Sequence, residues 1–248
     1  MKISYSGAVV RRVFTLIAGS AAGLALTLAA LPCRADGLDS LARFLREAHS
    51  GQAHFTQVVT LPPKHGADDD DAKGGTGGQP PRQRTQSGTF AFKRPGQFRF
   101  DYQAPFAQTI VADGATLWLY DAGLNQVTAQ PQAQALASTP AALIATAADL
   151  KTLQRDYALS DQAGQGDGLQ WVQAVPKPHN DGSSNLLQSV RVGLKIGVDG
   201  APALAALDIL DSLGQRSRIT FSDFQINAAI APSRFQFIPP PGADVVRQ

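Results

Sequence analysis

The sequence predicts a mainly β protein with a few helices: an incomplete antiparallel β-barrel of about 11 strands, closed by an α-helical lid over a hydrophobic cavity. Three observations carry this. Phe90 and Phe92, then Phe98, Phe100 and Tyr102, alternate with small or polar neighbours, a period of two that puts one aromatic row on a single sheet face. Breakers recur at hairpin spacing, at Pro95-Gly96, Ala104-Pro105, Asp113-Gly114 and Ala122-Gly123. Thr139-Pro140 then opens an uncharged helical run through Leu143, Ile144 and Ala145, with a capping threonine and proline at the first helical position.

The first 35 residues stand apart. Lys2, Arg11 and Arg12 precede an apolar run from Val13 to Leu31, and Cys33-Arg34-Ala35 offers a small-residue cleavage site. This is the pattern of an export signal cut after Ala35. The alternative is a retained anchor, for which the apolar run is nearly long enough. The pair Arg11-Arg12 loosely resembles a twin-arginine signal, and Pro32 fits poorly before a lipid-modified cysteine. Residues 36–248 are expected to form a single soluble domain, long enough to hold itself by its core.

Removing the leader changes the charge argument. Four of the 22 Lys and Arg residues precede Asp36 and none of the 20 Asp and Glu residues does, so the remainder is acidic by two. The basic pI of about 8.8 belongs to the leader, and nothing points to nucleic acid. Cys33 is the one cysteine; after cleavage neither a disulfide nor thiolate chemistry is available.

Residues 36–50 read as an amphipathic helix, with Leu38, Leu41, Phe44, Leu45 and Ala48 on one side. A first strand follows at 53–61. Residues 62–86 contain no apolar side chain larger than alanine and are expected to be a flexible loop insertion. Within it, Asp68 to Asp71 lack the alternate spacing and closing Glu of a calcium loop, and the Gly74 to Gly78 run has no phosphate-loop lysine. Strands are then expected at 87–93, 97–103, 107–113, 115–121 and 124–130, and again at 153–160, 169–175, 187–198, 203–211 and 216–224. A last short strand is placed at 234–237.

Catalytic chemistry is sparse. The four histidines, His49, His54, His65 and His179, show no metal-ligand spacing, and Ser87-Gly88 lacks the flanks of a nucleophile elbow. Asp101, Asp113 and Asp121 could pair for hydrolysis, but acids beside turns ordinarily form the turns. No catalytic residue, metal or cofactor is assigned. For the cavity lining, the aromatic row and its neighbours supply Phe90, Phe98, Phe100, Leu117, Leu119, Leu143 and Ile144. Because Leu117 to Tyr120 is apolar at successive positions, Trp118 is an alternative lining residue.

The run KRPGQFRFDY…IVADG..LWLYD…TPAALIA, with Ala53 to Gln57 before it and Phe235-Gln236-Phe237 running into Pro239-Pro240-Pro241-Gly242 after it, resembles the outer-membrane lipoprotein carrier (LolA) family. The similarity spans most of residues 38–246. It implies a periplasmic chaperone that binds the acyl chains of outer-membrane lipoproteins. Its partners would be an inner-membrane ABC transporter that releases the cargo and an outer-membrane receptor that takes it; the carrier itself would be a monomer. The resemblance also makes Arg94 a lid latch, bonding backbone carbonyls at Leu45 and at Ile144-Ala145. Phe100 stands where the family often has tryptophan. The alternatives are a periplasmic lipid- or lipoprotein-sensing module of the same fold and, from another class, an exported hydrolase with a lipid pocket.

Overall fold

The computed structural model describes residues 37–62, 81–135, 147–178 and 186–248. The expected leader (1–35), the helical run with Leu143, Ile144 and Ala145, and most of the 62–86 segment lie outside the described residues.

Helix α1 (Gly37–Glu47) leads into β1 (Ser50–Thr60). Then come β2 (Gln83–Lys93), β3 (Gln97–Tyr102), β4 (Gln108–Asp113), β5 (Thr116–Asp121) and β6 (Gln126–Pro131). A single turn, α2 (Gln132–Ala135), follows directly. Helix α3 (Leu150–Asp156) precedes β7 (Tyr157–Gln162), β8 (Gln170–Pro176), β9 (Leu187–Ile196), β10 (Pro202–Asp211) and β11 (Arg216–Ile226). A 3-10 turn at Pro232–Phe235 and β12 (Asp244–Arg247) complete the fold. The twelve strands make one open sheet in the order β12-β6-β5-β4-β3-β2-β1-β11-β10-β9-β8-β7. It is an incomplete barrel with a helical cover.

Alternation sorts the side chains. Phe55, Phe90, Phe92, Phe98, Phe100, Ala112, Leu117, Leu204, Leu207, Ile219 and Phe221 form one buried cluster with Leu41, Phe44 and Leu45 of α1. The helix lies across β7 to β10 on that face, its apolar stripe turned inward as the three- and four-residue spacing requires.

Four expectations are corrected. Residues 83–86 belong to β2, paired with β1 as far as Thr60 opposite Gln83; backbone pairing is indifferent to polar side chains on exposed positions. Residues 153–156 are helical, because Asp149 caps α3 by accepting from the Thr152 N–H at 2.7 Å, the side-chain cap that starts a helix. The strand placed at 234–237 is instead the 3-10 turn, and the added strand lies later. That strand, β12, pairs parallel with β6, whereas antiparallel pairing was expected throughout.

Candidate functional site

The site is built where α1 ends over the aromatic face. A helix leaves its last carbonyls without partners inside the helix, and Arg94, at the β2–β3 turn, meets those of α1. Its Nη1 donates to the carbonyl oxygens of Leu45 at 2.7 Å and Ala48 at 2.8 Å, with Phe44 at 3.4 Å. The guanidinium also lies 5.3 Å from the ring centres of both Phe44 and Phe92, at cation–π distance. Burial lowers its pKa to about 10, so it stays charged at neutral pH. A cation at the C-terminus of α1 is favoured by the helix dipole as well. Leu45 is thus where the sequence placed an acceptor, whereas Ile144 and Ala145 lie outside the described residues.

A second side chain caps α1, and the sequence reading did not name it. Asn227, at φ 55, donates from Nδ2 to the Glu47 carbonyl at 3.0 Å and accepts from the His49 N–H at 2.8 Å. Asparagine tolerates the left-handed conformation this requires. Its partners lie 180 and 178 residues away in sequence, so no local pattern marks it.

Beside α1, whose Phe44 ring lies 6.3 Å from Phe92, the aromatic rings touch in series. Phe90 lies 4.5 Å from Phe100 and 5.3 Å from Phe221, centre to centre, and Phe55 lies 5.4 Å from Phe100. Phe98 is fully buried beside Phe100. Phe55, Phe92 and Phe221 therefore join the expected Phe90, Phe98 and Phe100 on this face. Leu117 belongs to the same cluster, and Leu119, two positions on, shares its face opposite the half-buried Ile110. Leu143 and Ile144 lie outside the described residues.

Trp118 is a correction: it sits on the opposite face. Its ring lies 5.6 Å from Phe237, and its indole donates to Asp113 Oδ2 at 2.9 Å. The C-terminal tail makes this outer face a second apolar layer, with Phe235 and Val111 fully buried and the 3-10 turn packed on β3 and β4. Arg234 anchors the tail through Asp101 Oδ2 at 2.9 Å.

At the other end of the inner face the chemistry turns polar. Tyr102 Oη donates to Gln57 Oε1 at 2.8 Å, and Gln57 Nε2 donates to Ser217 Oγ at 2.6 Å. Burial pushes the Tyr102 phenol up to about 12, leaving it a neutral hydrogen-bond donor.

The carboxylates considered for hydrolysis have structural partners. Asp113 accepts from the N–H groups of Ala115 and Thr116, and Asp121 from those of Gly123 and Leu124. Asp101 is held between Arg99 and Arg234. Among the described residues no group of His, Cys, Asp or Glu could hold a metal ion.

The family model and the sequence relatives agree on one family. The family model "Outer membrane lipoprotein carrier protein LolA" matches residues 75–238. A protein of Albidiferax ferrireducens named outer-membrane lipoprotein carrier protein is 55% identical over 86% of this chain and 92% of its own length. Proteins of the same name from Leptothrix cholodnii (45%, covering 87% of each chain) and Neisseria gonorrhoeae (34%, covering 89% and 92%) are also similar. Among solved structures, a LolA superfamily protein from Nitrosomonas europaea aligns over 81% of this chain and 96% of its own, at TM-score 0.43 and 14% identity.

Proposed function

This chain belongs to the outer-membrane lipoprotein carrier family, LolA, and from that premise we propose that it is a periplasmic chaperone for lipoprotein acyl chains. It takes the acylated N-terminus of an outer-membrane lipoprotein released by an inner-membrane ABC transporter and passes it to an outer-membrane receptor. It acts as a soluble monomer once the leader has been cut after Ala35. Among the described residues no helix is long and apolar enough to cross a membrane. No cofactor or catalytic step is involved.

The physical task is to keep hydrocarbon from water. Each exposed methylene costs about 0.8 kcal/mol, so several long chains do not leave a bilayer unaided. The sequence carries no phosphate-loop motif, and in this reading the transporter supplies the work. The carrier's hold must stay moderate for the receptor to succeed.

One observation carries the reading: Arg94 binds the end of α1 over the aromatic face. Charge-assisted bonds of this kind contribute about 1.5–3 kcal/mol each. That is enough to keep a helix seated and little enough for a lipid to displace it. Closure then competes with cargo, and the competition sets the affinity.

The test is a transfer assay with purified components. Arg94→Leu is expected to accept lipoprotein and fail to release it to the receptor. Transfer at the normal rate would refute the latch. Mass spectrometry of the purified protein is expected to find acylated peptide.

A further inference from the structure

The inner face ends in a polar chain that packing alone does not call for. Along β1, β2 and β3 its positions are filled by Phe92, Phe90, Phe98, Phe100 and Phe55. The composition then changes to Tyr102 on β3, Gln57 on β1 and Ser217 on β11. These three strands are not mutual neighbours, since β2 separates β3 from β1. The phenol crosses β2 at Gly88, which stands opposite both Tyr102 and Phe55. A side chain at 88 would run into the Asp101 backbone and the Phe55 ring.

Counting protons shows what the chain leaves over. Tyr102 uses its one proton on Gln57, and Gln57 uses one of its two amide protons on Ser217. Ser217 accepts and keeps its own proton. The Ser217 hydroxyl proton and the second Gln57 amide proton have no acceptor among the described residues, although Ser217 is only 8% exposed. Gln57 is half-buried, and Ser217 lines an open pocket with Ser189, Ile209 and Arg216, so a ligand oxygen can reach this end of the face.

The spacing suits a fatty chain. From Gly51, opposite Phe92 near the Arg94 end, to Gln57, β1 advances six residues, about 20 Å at roughly 3.3 Å per residue. One leaflet of a bilayer is about 15 Å of hydrocarbon, half of a core about 30 Å thick. With α1 displaced, an acyl chain laid on this face with its methyl end toward Arg94 would bring its carbonyl end to Gln57 and Ser217.

Resting on the carrier reading above, we propose that Gln57 and Ser217 donate these two protons to the ester or amide carbonyl oxygens that join the acyl chains to the cargo. Tyr102 is a positioning residue that holds the Gln57 amide in place. The apolar face takes the hydrocarbon and the polar chain fixes which way round it lies.

Ester and ether lipids separate this from general greasiness. The purified protein is titrated with a synthetic lipopeptide carrying two palmitoyl esters and with its dialkyl-ether counterpart of equal chain length. The ester form is expected to bind about tenfold tighter, the gain of about one net hydrogen bond. The double variant Gln57→Leu, Ser217→Ala is expected to lower ester affinity to the ether value without changing ether affinity, and Tyr102→Phe to narrow the preference partway. Equal binding of both probes by the unaltered protein, a preference that survives the double variant, or equal loss of both probes would overturn the inference alone. Binding of neither probe by the unaltered protein would overturn the carrier reading and this inference with it.

Discussion

The Arg94 guanidinium stands 2.7 Å from the carbonyl oxygen of Leu45, joining the β2–β3 turn to the end of the helix that covers the aromatic face. Lysine cannot reproduce this. Its ammonium is a point charge without the planar fork that meets several carbonyls together. Arg94→Lys is expected to cost about 2 kcal/mol, one lost charge-assisted bond. Amide exchange in the last turn of α1 should accelerate, and exchange as slow as in the parent protein would show that the guanidinium does not hold that turn.

Gly88 is a steric requirement. A Cβ there would overlap the backbone oxygen of Asp101 and lie 2.9 Å from the Phe55 ring. Neither the strand pairing nor the packed ring can yield cheaply, so Gly88→Ala is expected to destabilise by about 3 kcal/mol. Urea denaturation reads this directly.

The tail contributes to stability as well as to shape. Phe235 is fully buried against β3 and β4, and Phe235→Ala is expected to cost about 3–5 kcal/mol. Phe237→Ala should instead report locally: with Trp171→Phe as background, Trp118 emission should shift to the red. An unshifted spectrum would contradict the contact at 5.6 Å.

Tyr102 makes an alkaline prediction. Its phenol ionises at 10.0 in the unfolded chain and about 12 in the folded protein, because burial disfavours the phenolate. The unfolded chain therefore binds fewer protons between those values, and stability falls as pH rises through that window. Below pH 10 the contribution is fully present. Tyr102→Phe should flatten this part of the stability–pH curve and remove the phenol that ionises at about 12 from an ultraviolet titration; an unchanged curve would rule out Tyr102 as the source.

The strands were legible because Phe90, Phe92, Phe98 and Phe100 follow the pleat and turn pairs punctuate them. Trp118 was ambiguous for a physical reason: Leu117 to Tyr120 is apolar on both sides because both faces are covered, one by the inner cluster and the other by Phe237 far along the chain. The sequence places a strand at 153–160 because Leu153, Tyr157 and Leu159 satisfy either period, and the Asp149–Thr152 cap decides for helix up to Asp156. Arg94 was found through its resemblance context, since an arginine beside a turn proline is ordinarily solvated. Asn227 and the Tyr102–Gln57–Ser217 chain depend on partners brought together by the fold, which no local pattern reports.

The parallel pairing of β12 with β6 has a consequence for biosynthesis. Strand β6 is made early, and its free edge waits for residues that leave the ribosome much later. Until those residues join it as the molecule folds, β6 presents an unpaired ribbon of amides and carbonyls able to recruit another chain. Four residues, Asp244–Arg247, cover it and become the border themselves, leaving an edge only four residues long, too short a template to hold a second chain well.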